Sequence, residues 1–155
     1  MPYLIDGNNL LGSWGGPAVS GDGRLEVVRR VAAFCRARGA RATIVFDGAP
    51  FRPDLGAQEL GKVSLRFPPP GRDADGVIRE LVEKAARPVE LTLVSSDKAL
   101  YSFARARGAH SWTTRDWNAQ ARGAVPRGRQ AKAVRGEKPE RETDVEGWLR
   151  RFSRE

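Results

Sequence analysis

The chain has 155 residues, enough for one domain with a core of its own and too few for two full ones. Its 27 Lys and Arg outweigh 19 Asp and Glu to give a formal charge of +8, a balance that favours a polyanionic partner such as nucleic acid, with an anionic membrane surface as the other candidate. No apolar run approaches the roughly 18 residues of a spanning helix, the single cysteine excludes an internal disulfide, and the amino terminus opens without a secretory signal; the expectation is a soluble cytoplasmic protein that does not enter a membrane.

Tyr3-Leu4-Ile5 is a short apolar run that ends at Asp6-Gly7-Asn8-Asn9, the pattern of a buried strand delivering a carboxylate at its carboxyl end. Residues 11 to 23, with Gly12, Gly15, Gly16 and Pro17, read as an irregular loop. From Arg24 to Arg38 the positions Leu25, Val28, Val31, Ala32 and Cys35 recur every three or four residues, which predicts an amphipathic helix stopped by Gly39 and places Cys35 in the core. Ala42 to Phe46 is a second buried strand, and it too runs into an acid and a glycine, Asp47-Gly48. After a poorly patterned connection, Val63 to Phe67 alternates like a half-exposed strand ended by three prolines, which predicts an edge position. Asp73 and Asp75 then stand at the start of an amphipathic helix carrying Val77, Ile78, Leu81 and Val82. Leu91 to Val94 is a third central strand ending in Ser95-Ser96-Asp97, a helix follows from Lys98 to Arg107, and Ala109 to Trp112 is a short fifth strand before a brief helical turn reaching Ala121. Strands that alternate with helices predict an α/β fold, a three-layer α/β/α sandwich around a mainly parallel five-stranded sheet, because parallel neighbours need crossover connections.

The composition changes after residue 121. Between Ala121 and Arg141 there are seven Arg or Lys, two Glu and only two large apolar residues, so the stretch cannot bury a core and reads as a flexible basic arm over residues 122–142. Thr143 to Glu146 has the form of a capping box, and Val145, Trp148, Leu149 and Phe152 share one face of a terminal helix over 143–155. That helix needs something to dock on: the domain's own surface, a second copy of the chain or another protein.

In a doubly wound parallel sheet the carboxyl ends of the strands share one edge, which brings Asp6, Asp47 and Asp97 to the same side and lets the helix behind Asp73 and Asp75 aim at them. Such carboxylates repel one another unless a cation intervenes, and hard oxygen donors suit Mg²⁺ or Mn²⁺. Asn8 and Asn9 supply neutral amide contacts beside them. One histidine and one cysteine, far apart, leave little material for a zinc site or a Cys/His nucleophile. Each acid also has a local reading: Asp73 or Asp75 as a helix cap, Asp6-Gly7 and Asp47-Gly48 as turns, Asp97 as a helix start. Three strands that each end in aspartate exceed what turn chemistry requires.

The segments Leu4 to Asn9, Val45 to Gly48, Ala74 to Glu80 and Val94 to Asp97 together resemble the successive motifs of the NYN, or YacP-like, branch of the PIN nuclease superfamily. The resemblance covers about residues 3 to 120 and implies a nuclease domain over residues 1–121, with metal-dependent endoribonuclease activity. It puts Asp6, Asp75 and Asp97 at the acidic catalytic and metal positions, Asn9 at the asparagine that follows the first acid, and Asp47 at the second-strand acid. Asn8 departs from a tyrosine often found there, and Asp73 stands where the family often has a threonine.

RNA is then the expected partner. Arg52, Arg72 and Lys98 neighbour the acids in sequence, and Arg122, Arg127, Arg129, Lys132 and Arg135 of the arm add attraction for phosphates; five such contacts give a log-log salt slope of ~3.5 on a single strand. Trp14, Trp112 and Trp117 have a base-stacking and a packing reading alike. The leading expectation is a Mg²⁺- or Mn²⁺-dependent endoribonuclease acting on single-stranded or loop RNA. An inactive RNA-binding adaptor of the same fold is the alternative, and a phosphotransfer domain is weakened because no DxD follows the first strand.

Overall fold

A computed structural model describes residues 2–15, 21–53 and 55–122 of the chain. It divides into two compact units, Met1–Trp117 and Asn118–Glu155. The first holds an all-parallel five-stranded sheet in the order β3-β2-β1-β4-β5, formed by β1 (Pro2–Asp6), β2 (Arg41–Val45), β3 (Val63–Arg66), β4 (Thr92–Val94) and β5 (His110–Trp112). The helices are α1 (Gly7–Gly12), α2 (Gly21–Arg38), α3 (Ala57–Leu60), α4 (Ala74–Glu83), α5 (Lys98–Ala106) and α6 (Thr114–Arg122), the last of which carries the described start of the second unit. The three-layer α/β/α expectation holds, and the strand ended by the prolines is indeed at an edge. The arm beyond Arg122 and the terminal helix lie outside the described residues.

β1 occupies the centre because both its faces are apolar. In register, Ile5 sits between Ile44 of β2 and Val94 of β4. Leu4 joins Val45 and Leu93 against Ala74, Val77 and Ile78 of α4 and Leu100 and Ala104 of α5. The alternate residue Tyr3 turns to the other layer, where its ring meets Phe34 of α2 edge-on at 5.5 Å and lies 5.3 Å from Trp112 and 5.7 Å from Trp117. Period-two alternation on a strand covered on both sides therefore builds two cores at once. Trp112 and Trp117 belong to this packing, with Trp117 buried, so the packing reading of these two rings is the observed one. Cys35 is buried as well, and burial pushes its thiol up to about 11, the behaviour of a core residue rather than a nucleophile.

Two connections differ from the sequence expectation. Where an irregular loop is predicted from residue 11, a helix already runs from Gly7 to Gly12, immediately after β1. Asp6 is its N-cap, and Leu10 and Leu11 are the buried anchors that hold the turn in place. Gly7 is required there by space: a Cβ at that position would lie 2.5 Å from Cε1 of Phe46 and 2.9 Å from Cγ2 of Ile44. The poorly patterned connection after β2 likewise contains the short helix α3. Both are too short to show a helical period.

Candidate active site

The carboxyl ends of β1, β2 and β4 lie side by side, so Asp6, Asp47 and Asp97 emerge along one edge, and α4 starts there behind Asp73. The β1–α1 corner is fixed to both neighbours by its two asparagines. Asn8 Oδ1 accepts the backbone N–H of Asp47 at 2.7 Å on the β2 side, and Asn9 Oδ1 accepts the N–H of Ser96 at 2.8 Å on the β4 side. Asp47 in turn accepts the N–H of Ala74 at 2.8 Å, which ties the end of β2 to the start of α4.

Each acid has a distinct surrounding. Asp6 Oδ1 accepts the N–H of Asn9 at 3.4 Å, and its Oδ2 accepts the hydroxyl of Ser95 at 3.2 Å. The same Ser95 oxygen accepts the N–H of Asp97 at 3.1 Å, so one buried hydroxyl links two of the acids. Asp97 is the N-cap of α5, where its Oδ1 accepts from Ala99 and Leu100. Asp73 caps α4 through Gly76 at 3.0 Å. That division of labour leaves Asp75, one position inside α4, free of the capping task.

The electrostatics show that the acids share one field. Asp6 is pushed up to about 6, first by burial and then by the charges of Asp75 and Asp47, against the opposing bonds from Asn9 and Ser95. Asp75 is also raised, by burial first and by Asp97, Asp73 and Asp47 after it, while Arg79 opposes the shift. Among the described residues no three His, Cys, Asp or Glu side chains are placed as a ready ligand set for a metal ion. The donor chemistry nonetheless fits a hard divalent cation: the donors are carboxylate oxygens, and two of them resist ionisation, first because they are buried and then because their neighbours are also anionic.

Asp6, Asp47 and Asp97 thus stand at the carboxyl edge of a parallel sheet, with Asp73 and Asp75 at the start of α4 beside it. The family of the YacP-like NYN domain matches residues 3–151. The chain belongs to that family. The match continues through the basic stretch and into the terminal segment, beyond residue 120 where the recognisable motifs stop. Two crystal structures of Rae1 (YacP) from Bacillus subtilis, one of them of a point mutant, share the fold. The mutant superposes with a TM-score of 0.68 at 21% identity, covering 99% of this chain and 92% of the other. The second gives 0.63 at 21% identity over 99% and 93%. Among curated proteins nothing matches.

Within this YacP-like NYN domain, the basic residues named from sequence divide. Arg72 pairs with Glu80 at 3.3 Å, Arg52 is exposed on the connection after β2, and Lys98 is exposed in the first turn of α5. Arg122 ends α6, while Arg127, Arg129, Lys132 and Arg135 lie outside the described residues. Trp14 is stacked under Arg30, whose guanidinium carbon is 4.2 Å from the ring centroid. The sequence reading missed Ser95, Ser96 and Thr114. Ser96 and Thr114 exchange a bond at 2.8 Å between hydroxyls, and the N–H of Thr114 donates to Ser96 at 3.0 Å, joining the β5–α6 corner to the β4 end. The signal was a pair of serines directly before Asp97, where a strand leaving its sheet has backbone groups to satisfy.

Proposed function

We propose that the chain is a metal-dependent endoribonuclease that hydrolyses single-stranded or loop RNA in the cytoplasm. The observation that carries this reading is the placement of Asp6 and Asp75, each raised by burial first and by neighbouring carboxylates second, at a sheet edge that also delivers Asp97. Asp6, Asp75 and Asp97 would hold Mg²⁺ or Mn²⁺; when bound, the cation supplies charge neutralisation at phosphate and an acidified water. Asp47 and Asp73 stand within the same field, with their Oδ1 atoms occupied at the start of α4.

The chain's own residues orient the reaction. Ser95 and the N–H of Asn9 fix the Asp6 carboxylate, and the α5 cap fixes Asp97 through Oδ1, which turns Oδ2 to other partners. Asn9 acts through the backbone of Ser96, so its role is to position the β4 end. Lys98, Arg52 and Arg72 are placed near the acids in sequence to attract the phosphate chain. In the hydrolysis, water oxygen bonds to phosphorus, the bridging P–O bond breaks, and the departing oxygen takes up a proton.

Incubation of purified protein with Mn²⁺ and RNAs of varied sequence tests the reading. Cleavage by the parent that is lost in Asp6→Asn and Asp97→Asn supports it; intact RNA, or cleavage by those variants at the parent's rate, overturns it. RNA binding without cleavage or metal retention would favour the adaptor reading.

A further inference from the structure

We infer that the opposite end of the sheet carries a second RNA contact, a phosphate-binding corner formed by Arg36, Arg38, Arg41 and Lys62. It rests on the reading that RNA is the substrate, and it lies where the strands begin rather than where they end. All four residues are exposed. Arg36 and Arg38 are in the last turn of α2, and Gly39, at a φ of +65°, turns the chain into Arg41 at the start of β2. Lys62 immediately precedes β3: its carbonyl accepts the N–H of Ala42 at 3.2 Å, and the register Ala42 to Val63 sets it alongside Arg41. Arg36 closes the group by donating to the carbonyl of Glu59, with its Cγ 3.9 Å from where a Cβ on Gly61 would lie.

Local structure explains only part of this. Cations in the last turn of a helix are favoured by the helix dipole, which accounts for Arg36 and Arg38. It does not account for Arg41 and Lys62, which belong to no helix. The nearest acid in sequence, Glu59, has its Oε1 engaged with the N–H of Gly56 at 3.0 Å. Elsewhere the pattern differs: Arg87 pairs with Glu90 at 3.1 Å and Arg107 with Glu83 at 2.9 Å. The α2–β2–β3 corner therefore gathers four exposed cations. Guanidinium groups fork onto phosphate oxygens, so the chemistry that fits is a nucleic acid backbone. Because the corner sits at the other end of the strands from Asp6, it would hold a part of the RNA remote from the scissile bond.

The test is binding of a fluorescent 30-nucleotide RNA over a KCl series by the full-length parent, by Arg36→Gln/Arg41→Gln/Lys62→Gln and by the charge-keeping Arg36→Lys/Arg41→Lys/Lys62→Arg. Arg38 is left in place because its guanidinium packs 4.5 Å from the Phe34 ring centroid. The expected result is a salt slope smaller by about 2, for three lost contacts, and affinity at least about tenfold weaker at low salt for the glutamine variant alone. Unchanged affinity and slope overturn the proposal while leaving the nuclease reading intact. A loss confined to anionic phosphatidylserine vesicles, with RNA binding preserved, overturns it in favour of a membrane surface. A parent that binds no RNA at all overturns both readings.

Discussion

The two ends of the sheet are built from the same parallel strands and carry opposite charge. At the carboxyl end Asp6, Asp47, Asp73, Asp75 and Asp97 converge; at the amino end Arg36, Arg38, Arg41 and Lys62 are gathered where α2 finishes and β2 and β3 begin. The difference lies in how each charge is housed. Asp6, Asp75 and Asp97 are partly enclosed, and burial first and neighbouring carboxylates second hold Asp6 and Asp75 against their ordinary tendency to ionise. The cations are exposed. On the proposed function, the parallel fold separates a place for a metal ion from a place that offers side-chain cations.

The sharpest way to break the comparison is to remove a charge from each end and ask which function follows. Asp6→Asn should lower RNA cleavage by about 10²–10³-fold, the scale of losing one preorganised electrostatic group, with RNA affinity near the parent's. Single-turnover cleavage and anisotropy read the two quantities separately. Equal losses in both would mean that the ends do not divide catalysis from holding.

Next in size is Gly7→Ala. The methyl group would press on Phe46 and Ile44, so a loss of about 1–3 kcal/mol is expected in urea unfolding. It should fall on cleavage as well, because Gly7 opens the helix that Asp6 caps. The amino-end corner, and with it the salt slope of RNA binding, should be indifferent.

The third prediction concerns pH. A carboxyl at about 6 in the folded protein, raised above its ordinary value of 3.8, holds its proton more tightly when folded. Its effect on metal-free stability is therefore neutral below pH ~4, becomes unfavourable as pH rises, and is complete above pH ~6, a cost of about 3 kcal/mol. Asp6→Asn should accordingly stabilise the metal-free protein at pH 8 and make no difference at pH 3.5, as followed by denaturant midpoints. Metal binding runs the other way, since the carboxylate must be ionised to bind; affinity for Mn²⁺ should fall as pH drops through about 6.

The smallest effect is expected from Ser95→Ala. Deleting a hydroxyl that donates to Asp6 removes a bond favouring the carboxylate, at a stability cost of about 1 kcal/mol. The midpoint of the metal-binding pH profile should move upward. A profile that stays in place would show that Ser95 supports the backbone of Asp97 alone.

Much of the carboxyl end was legible in the sequence because strand runs that stop at an acid announce both the sheet and its edge. Asp6, Asp47 and Asp97 could be placed without coordinates once parallel order was inferred, and Asp73 could be read as a cap. The helix that begins at Gly7 could not: six residues carry too little periodicity, and the reason for the glycine is a ring contributed by another strand. Nor could the roles of Asn8 and Asn9. Read as neighbours of the acids, they turn out to reach away from each other, to backbone groups of Asp47 and Ser96. The amino-end corner was hidden for a different cause. Arg36, Arg41 and Lys62 are separated by helix and strand boundaries, and only strand register makes Arg41 and Lys62 adjacent.

That divergence of Asn8 and Asn9 has a kinetic consequence. The N–H groups of Asp47 and Ser96 flank the sheet centre from opposite sides, yet both are latched by consecutive residues of one six-residue helix. If α1 unwinds as a unit, both latches open in one event, and the two amides should show a common opening free energy in hydrogen exchange. The edge that gathers the acids would then loosen all at once or not at all, with α1 as its clasp.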